Sequence, residues 1–309
     1  MITGGYGFIG MYVTQRLLAD RHEVFIYDLL PNTPEGFEHT VKIRGNLTDQ
    51  KTLFEAVYAN KIDQIINLAA LRNNDSKKFP YMAFQVNCAG FVNCLEAVRI
   101  FGLERLVYAS SVAVLGNFDY YRQGGYDLET LYRLPENCAK QPTNVYGVTK
   151  LLNEQLGEQY SKIYGMKVVG CRLPLIFGAG KKGGSKTSVF NEMIELSYHG
   201  SPVEVELREE RFNIVYVKDA AKGVYCGATA KDPQSGVYNI CGATVDMLDY
   251  ADAIREILPK ADITLRKKPG ATTPVNTCID SAAAREQIGY TPDFDLRAGI
   301  LDHIGLVVK

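Results

Sequence analysis

Short apolar runs alternating with longer stretches of helical periodicity leave this 309-residue chain few folds to choose from. The runs are "EVFIYDL" (23–29), "QIINLAA" (64–70), "RLVYASS" (105–111) and "KVVGCRL" (167–173). Between them the pattern predicts helices at 11–20, 50–59, 82–101 and 145–164. Runs this rich in valine, isoleucine and leucine suit strands covered on both faces, which means parallel strands joined by crossover helices. The expectation is an α/β fold on a doubly wound parallel sheet. After residue 173 the rhythm loosens, with helices predicted near 187–199, 247–257, 281–288 and 296–304. There "RFNIVYVKDAA" (211–221) reads as strand then helix, and "GVYNICG" (236–242) as a strand. Residues 1–173 therefore read as the main domain, its sheet completed by parts of 211–240, and 174–309 mainly as a smaller C-terminal cap.

Composition excludes several classes of function. A net charge of −1 with 46% hydrophobic residues gives no electrostatic attraction for nucleic acid or an anionic membrane surface. No apolar run reaches the length of a membrane span, and the chain reads as soluble and cytoplasmic. The seven cysteines are widely spaced and form no C-x-x-C pair, so they read as reduced, packed thiols. His22, His39, His199 and His303 show no ligand spacing, and no metal is expected.

The opening "MITGGYGFIG" concentrates glycine where the chemistry would use it. Thr3, Gly4, Gly7 and Gly10 spell T-G-x-x-G-x-x-G, with Phe8 and Ile9 at the start of the first helix. This spacing permits a tight turn, a close backbone approach to a pyrophosphate, and close packing of helix on strand, while the helix N-terminus offers N–H groups and a favourable dipole. Asp28 ends the next strand about 20 residues on, where a carboxylate accepts bonds from ribose hydroxyls. No arginine follows to receive a 2′-phosphate, so the cofactor expected is NAD. Only Met1 and Ile2 precede Thr3, which makes the first strand short against the usual ~5–6 residues.

In "YGVTK", Tyr146 and Lys150 lie four apart on a predicted helix and share one face. A free tyrosine ionises near pH 10, too high for a base at neutral pH. A neighbouring ammonium and a positive nicotinamide ring both favour the phenolate. "YASSVAVLG" (108–116) follows a predicted strand and places Ser111 at its end, where its hydroxyl can steady a substrate oxygen. Ser111, Tyr146 and Lys150 together make a proton-transfer set.

With these residues in place, the sequence resembles the extended short-chain dehydrogenase/reductase family, in its NAD-dependent epimerase/dehydratase branch of sugar-nucleotide enzymes. The resemblance is carried by "TGGYGFIG", Asp28, "GNLTD" (45–49), "NLAA" (67–70), "VNCAG" (86–90), "YASSVAVLG", "YGVTK", "YVKDAA" and "VYNICG", in that order. It implies a Rossmann sheet and NAD. It further implies that Leu47 and Asp49 frame the adenine, with Asn46 also binding the cofactor, that Leu68, Ala69 and Ala70 line the pyrophosphate and ribose, and that Asn87 supports the turn below. Ser111 would polarise the reacting oxygen, Tyr146 would be the acid/base, Lys150 would bind the nicotinamide ribose, and Pro174 and Leu175 would present backbone to the carboxamide. A homodimer through the helices near 82–101 and 145–164 is a further family expectation.

The departures from the family bear on substrate. Leu175 stands where sugar-nucleotide epimerases usually carry asparagine, and Lys268 and Ala271 occupy a segment where an Arg-x-Gly-Asp pattern is usual. Each charge-assisted bond so lost is worth about 1.5–3 kcal/mol. Val112 and Ala113 replace the Asp-Glu pair of dehydratases and transfer no protons, which argues against a 4,6-dehydratase. "GKKGGSKT" (180–187) misses the P-loop pattern because Ser185 precedes its lysine, and reads as a basic lid with Lys181, Lys182 and Lys186. Arg72, Arg211, Val112 and Lys268 are the candidate substrate contacts, and 117–142 a segment that covers the site. The leading expectation is epimerase-type chemistry, transient oxidation and re-reduction of a carbinol in a sugar or sugar nucleotide. The alternatives are a net NAD(P)-dependent dehydrogenase or ketone reductase on a smaller substrate, and a non-catalytic NAD-binding redox sensor.

Overall fold

A computed structural model describes residues 1–30, 35–125, 133–180, 189–207, 211–267 and 279–307. Its strands are β1 (Ile2–Thr3), β2 (Phe25–Asp28), β3 (Val41–Arg44), β4 (Gln64–Asn67), β5 (Arg105–Ser111), β6 (Val168–Leu173), β7 (Leu175–Phe177), β8 (Val203–Leu207), β9 (Phe212–Tyr216), β10 (Gly236–Asn239), β11 (Ala243–Val245) and β12 (Ile263–Lys267). Seven of these form one sheet in the order β10-β6-β5-β4-β1-β2-β3, every pair parallel. This is the doubly wound α/β architecture of a Rossmann sheet.

Short as it is, β1 occupies the middle of the sheet. Ile2 registers with Ile26 on one side and Ile66 on the other. All three side chains are buried. The Thr3 hydroxyl donates to Asn67 Oδ1 at 2.7 Å, so two strand ends are tied where the sheet order reverses. Helices Phe8–Ala19 and Val217–Thr229 pack on one face; Gln50–Ala59, Gly90–Phe101 and Val145–Tyr164 cover the other.

The helix predicted over 82–101 is interrupted. Its parts are Pro80–Phe84, a widened π turn at Gln85–Ala89, and Gly90–Phe101. Such turns mark places where a side chain is aimed at something other than the helix's own repeat. Here that side chain is Asn87, which accepts from Leu71 N at 2.8 Å and donates to Leu71 O at 3.0 Å. The apolar run 64–70 likewise pairs only as far as Asn67, and the chain then leaves the sheet toward Leu71.

The C-terminal part adds a three-stranded sheet, β11-β9-β7, and a parallel pair, β12-β8. Helices Val189–Tyr198, Met247–Ile257 and Leu296–Val307 enclose a second core around Phe177, Phe190, Phe212, Tyr216 and Tyr250. Residues 211–240 divide between the two parts: β9 belongs to the small sheet, whereas Val217–Thr229 and β10 complete the large one. Cys88, Cys94, Cys138, Cys171 and Cys241 are free and buried, and Cys226 is free and half-buried.

Candidate active site

The crevice lies at the carboxyl ends of β1 and β4, where an open α/β sheet changes winding direction and ligands gather. Gly4 turns there with φ +69°, its amide donating to Tyr27 O at 3.0 Å. A Cβ on Gly4 would stand 2.8 Å from Ala69 N, so the loops after β1 and β4 touch backbone to backbone. A Cβ on Gly10 would fall 2.4 Å from Gly4 O. Gly7 caps the Phe8–Ala19 helix without a side chain, and no acidic residue occupies its first turn. Asp28, at the end of β2, accepts from Tyr6 N at 3.2 Å and Leu30 N at 3.1 Å, which holds its carboxylate against the glycine turn.

The remaining cofactor candidates fall into two groups. Leu68, Ala69 and Ala70 line the loop beside Gly4. Asn46 is exposed and Asp49 caps the Gln50–Ala59 helix through Thr52 N at 3.2 Å. Leu47, by contrast, is buried in the core, and its carbonyl accepts from Asn93 Nδ2 at 2.9 Å. Pro174 is buried and Leu175 half-buried at the junction of β6 and β7.

Around the reacting group, the helix Val145–Tyr164 is pressed against the end of β5. The Asn144 side chain caps it, accepting from Gly147 N at 2.9 Å. A Cβ on Gly147 would stand 2.0 Å from Ala113 O, so only glycine allows this approach. Tyr146 is thereby brought beside Ser111, whose hydroxyl is near enough to favour the phenolate and which accepts from Ala113 N at 3.2 Å. Lys150 Nζ lies 5.6 Å from the Tyr146 ring centroid and donates to Ala109 O at 2.7 Å. Asn87 Nδ2 donates to Thr149 Oγ1 at 3.1 Å, and Thr149 Oγ1 in turn donates to Tyr146 O at 2.7 Å, so the Leu71 clamp is linked to the helix start. Sequence reasoning does not single out Gly147, Thr149 or the Leu71 clamp; glycine next to Tyr146 is the available signal for the first.

Burial dominates the electrostatics. It raises the Tyr146 phenol to about 12, against the opposing pull of the Ser111 hydroxyl and of the Arg72 charge. Among the described residues the cation acting on the phenol is Arg72, a part that the sequence spacing assigns to Lys150. Burial lowers Lys150 to about 8, opposed by the neighbouring Cys88 and by the Glu154 carboxylate. Arg72 is exposed just beyond the Leu71 clamp. Val112 is buried beside Ser111. Arg211 donates to Thr244 O at 2.7 Å and pairs with Asp249 at 3.4 Å. Lys181, Lys182, Lys186, Lys268 and Ala271 lie outside the described residues.

The arrangement fits a dinucleotide: a glycine cradle too tight for side chains at Gly4 and Gly10, a helix N-terminus above it, and a carboxylate at the end of the neighbouring strand. Comparison with known proteins agrees. The sequence model of the NAD dependent epimerase/dehydratase family matches residues 1–241. The chain belongs to that family. Its cofactor is NAD, and it is an NAD-dependent epimerase or oxidoreductase of the extended short-chain type. An uncharacterised epimerase/dehydratase of Staphylococcus aureus is 26% identical, covering 96% of this chain and 92% of its own. Among solved structures, a GalE-like L-threonine dehydrogenase from Cupriavidus necator superposes with a TM-score of 0.85 at 26% identity, over 99% of this chain and 98% of that one. The UDP-glucose 4-epimerase of Thermus thermophilus, solved with NAD, gives 0.81 at 25% identity over 98% of each. No helix among the described residues is long and apolar enough to cross a membrane.

Two outcomes are expected. Gly10→Ala should weaken NAD binding at least about tenfold, roughly 1.4 kcal/mol, by isothermal titration, because its Cβ collides with a carbonyl that cannot move aside. Lys150→Met should stabilise the fold. A lysine held from 10.5 down to about 8 carries a penalty below pH 8 that fades as pH rises toward 10.5. Allowing for the lost bond to Ala109, thermal melts at pH 7 should show a gain of about 1–3 kcal/mol that shrinks near pH 10.

Proposed function

We propose that the chain oxidises a secondary carbinol of a sugar or sugar nucleotide and re-reduces the ketone from its other face, an epimerase-type cycle. The observation that carries the reading is the convergence of Ser111, Tyr146 and Lys150 at the carboxyl end of β5, on the same edge of the parallel sheet as the glycine turn after β1. Gly4, Gly7, Gly10 and Asp28 would hold the dinucleotide, with Lys150 on the ribose nearer the reacting ring. When bound, NAD supplies a carbon that accepts and returns hydride. Tyr146 takes the hydroxyl proton as the carbinol is oxidised and gives it back on reduction. The Ser111 hydroxyl would steady the substrate oxygen, and before substrate binds its nearness and the Arg72 charge offset part of the cost of making a phenolate in a buried place. Val112, beside Ser111, has no proton to exchange, which keeps the chemistry to hydride and hydroxyl proton.

A second reading is a net dehydrogenase or ketone reductase acting on a smaller substrate. Leu175 brings no polar group to the site, and Arg211 is held by Thr244 and Asp249 rather than standing ready for a diphosphate. The likeness to an L-threonine dehydrogenase supports the same reading. The helices around 80–101 and 145–164 pack together and expose Tyr81 (77%), Met82 (52%) and Val148 (53%), which supports a homodimer through this face.

Incubation of the protein with NAD and UDP-glucose, L-threonine or simple polyols separates the readings. Stereochemical change without net NADH marks the epimerase; accumulating NADH marks the dehydrogenase; neither, with NAD bound, would sink both. Tyr146→Phe should cut turnover about 10²- to 10⁴-fold while NAD affinity stays nearly unchanged. For the dimer, Tyr81→Arg with Val148→Arg should halve the mass measured by sedimentation, and an unaltered dimer would contradict the assigned face.

A further inference from the structure

The most deeply buried ion pair among the described residues lies one helical turn beyond Lys150, outside the roles assigned so far. Tyr146, Lys150 and Glu154 recur at intervals of four along one face of the Val145–Tyr164 helix. Each reaches β5: Tyr146 meets Ser111, Lys150 donates to Ala109 O, and Glu154 Oε1 accepts from Ser110 Oγ at 2.5 Å. Glu154 is 7% exposed. Its carboxylate is gripped in two places by Arg172, itself 1% exposed, with Nε to Oε1 at 3.1 Å and Nη2 to Oε2 at 2.9 Å. Arg172 Nη1 continues to Asn239 Oδ1 at 3.0 Å, and Asn239 Nδ2 donates to Leu134 O and Asp280 O at 3.2 and 2.8 Å. Leu134 bridges to Ile279, joining two segments from distant parts of the chain.

A bidentate ion pair this deeply buried is weak support for stability, since apolar residues of similar volume often serve as well or better. Its placement is informative instead. We propose that Glu154, locked by Arg172, is a positioning residue for the reaction: it fixes the catalytic helix in register with the end of β5 and supplies the counter-charge for Lys150. The inference deepens the reading of Tyr146 and Lys150 as the proton-transfer pair and rests on it, but its test needs neither substrate nor turnover.

The test is an NMR titration of Lys150 in cofactor-free protein labelled with ¹³C-lysine, assigned by the loss of its signal in Lys150→Met. Wild-type Lys150 should titrate near pH 8. In Glu154→Gln the midpoint should fall by on the order of one pH unit, because the nearby negative charge is gone and Arg172 is left uncompensated. Should that variant fail to fold, Glu154→Met with Arg172→Met keeps the volume apolar and carries the test: its melting temperature should stay close to wild type while the Lys150 midpoint still falls. A folded variant of either kind with an unmoved midpoint would overturn the proposal and show the pair to be structural only. The Tyr146 assignment would survive that result, because it is decided separately by turnover of Tyr146→Phe.

Discussion

The bond from Lys150 Nζ to Ala109 O is the contact on which the site depends. It fastens the helix that carries the acid/base to the strand that carries Ser111, and it does so with a cation kept from water. Burial makes that cation costly, which is why its amine lies well below the ordinary lysine range. Three neighbouring features make the arrangement possible. Gly147 lets the helix start touch the Ala113 carbonyl, Asn87 ties the Leu71 loop to Thr149, and Glu154 provides an opposite charge along the same helix face. A free phenol would be a poor base here, and burial raises it further. The fold thus supplies position, and the Arg72 charge offsets only part of what burial costs the phenolate.

Much of the fold was legible because its strongest elements are strictly periodic. The strand 105–111 and the helices 50–59, 145–164 and 247–257 stand where the sequence put them. Three of the missed strands share a physical cause. β3, "VKIR", lies at the sheet edge with alternating polar residues, and β8 and β12 pair with each other in a small exposed sheet, so none shows a continuous apolar run. The break in the 82–101 helix follows from a tertiary demand, the clamp of Asn87 on Leu71, which no propensity encodes.

Legibility of the site divides in the same way. Residues whose grouping is local, the glycine turn, Asp28 and the Tyr146–Lys150 pair, stand out as candidates from spacing alone. Contacts that span the chain do not. The packing of the Leu47 side chain in the core and the bond of Arg211 to Thr244 O are two such contacts. Arg72 reads in the sequence only as a substrate contact, yet its charge bears on Tyr146 across sequence that gives no hint of the proximity.

The central claim is that one crevice brings a dinucleotide held by the first turn to the Tyr146 hydroxyl. The most direct measurement is a crystal structure of the protein grown with NAD. The account predicts the pyrophosphate on Gly4, Gly7 and Gly10, with the reactive nicotinamide carbon within about 5 Å of the Tyr146 oxygen, leaving room for a carbinol between them. A dinucleotide seated on those glycines with its nicotinamide turned well away from Tyr146, or bound elsewhere on the molecule, would contradict it.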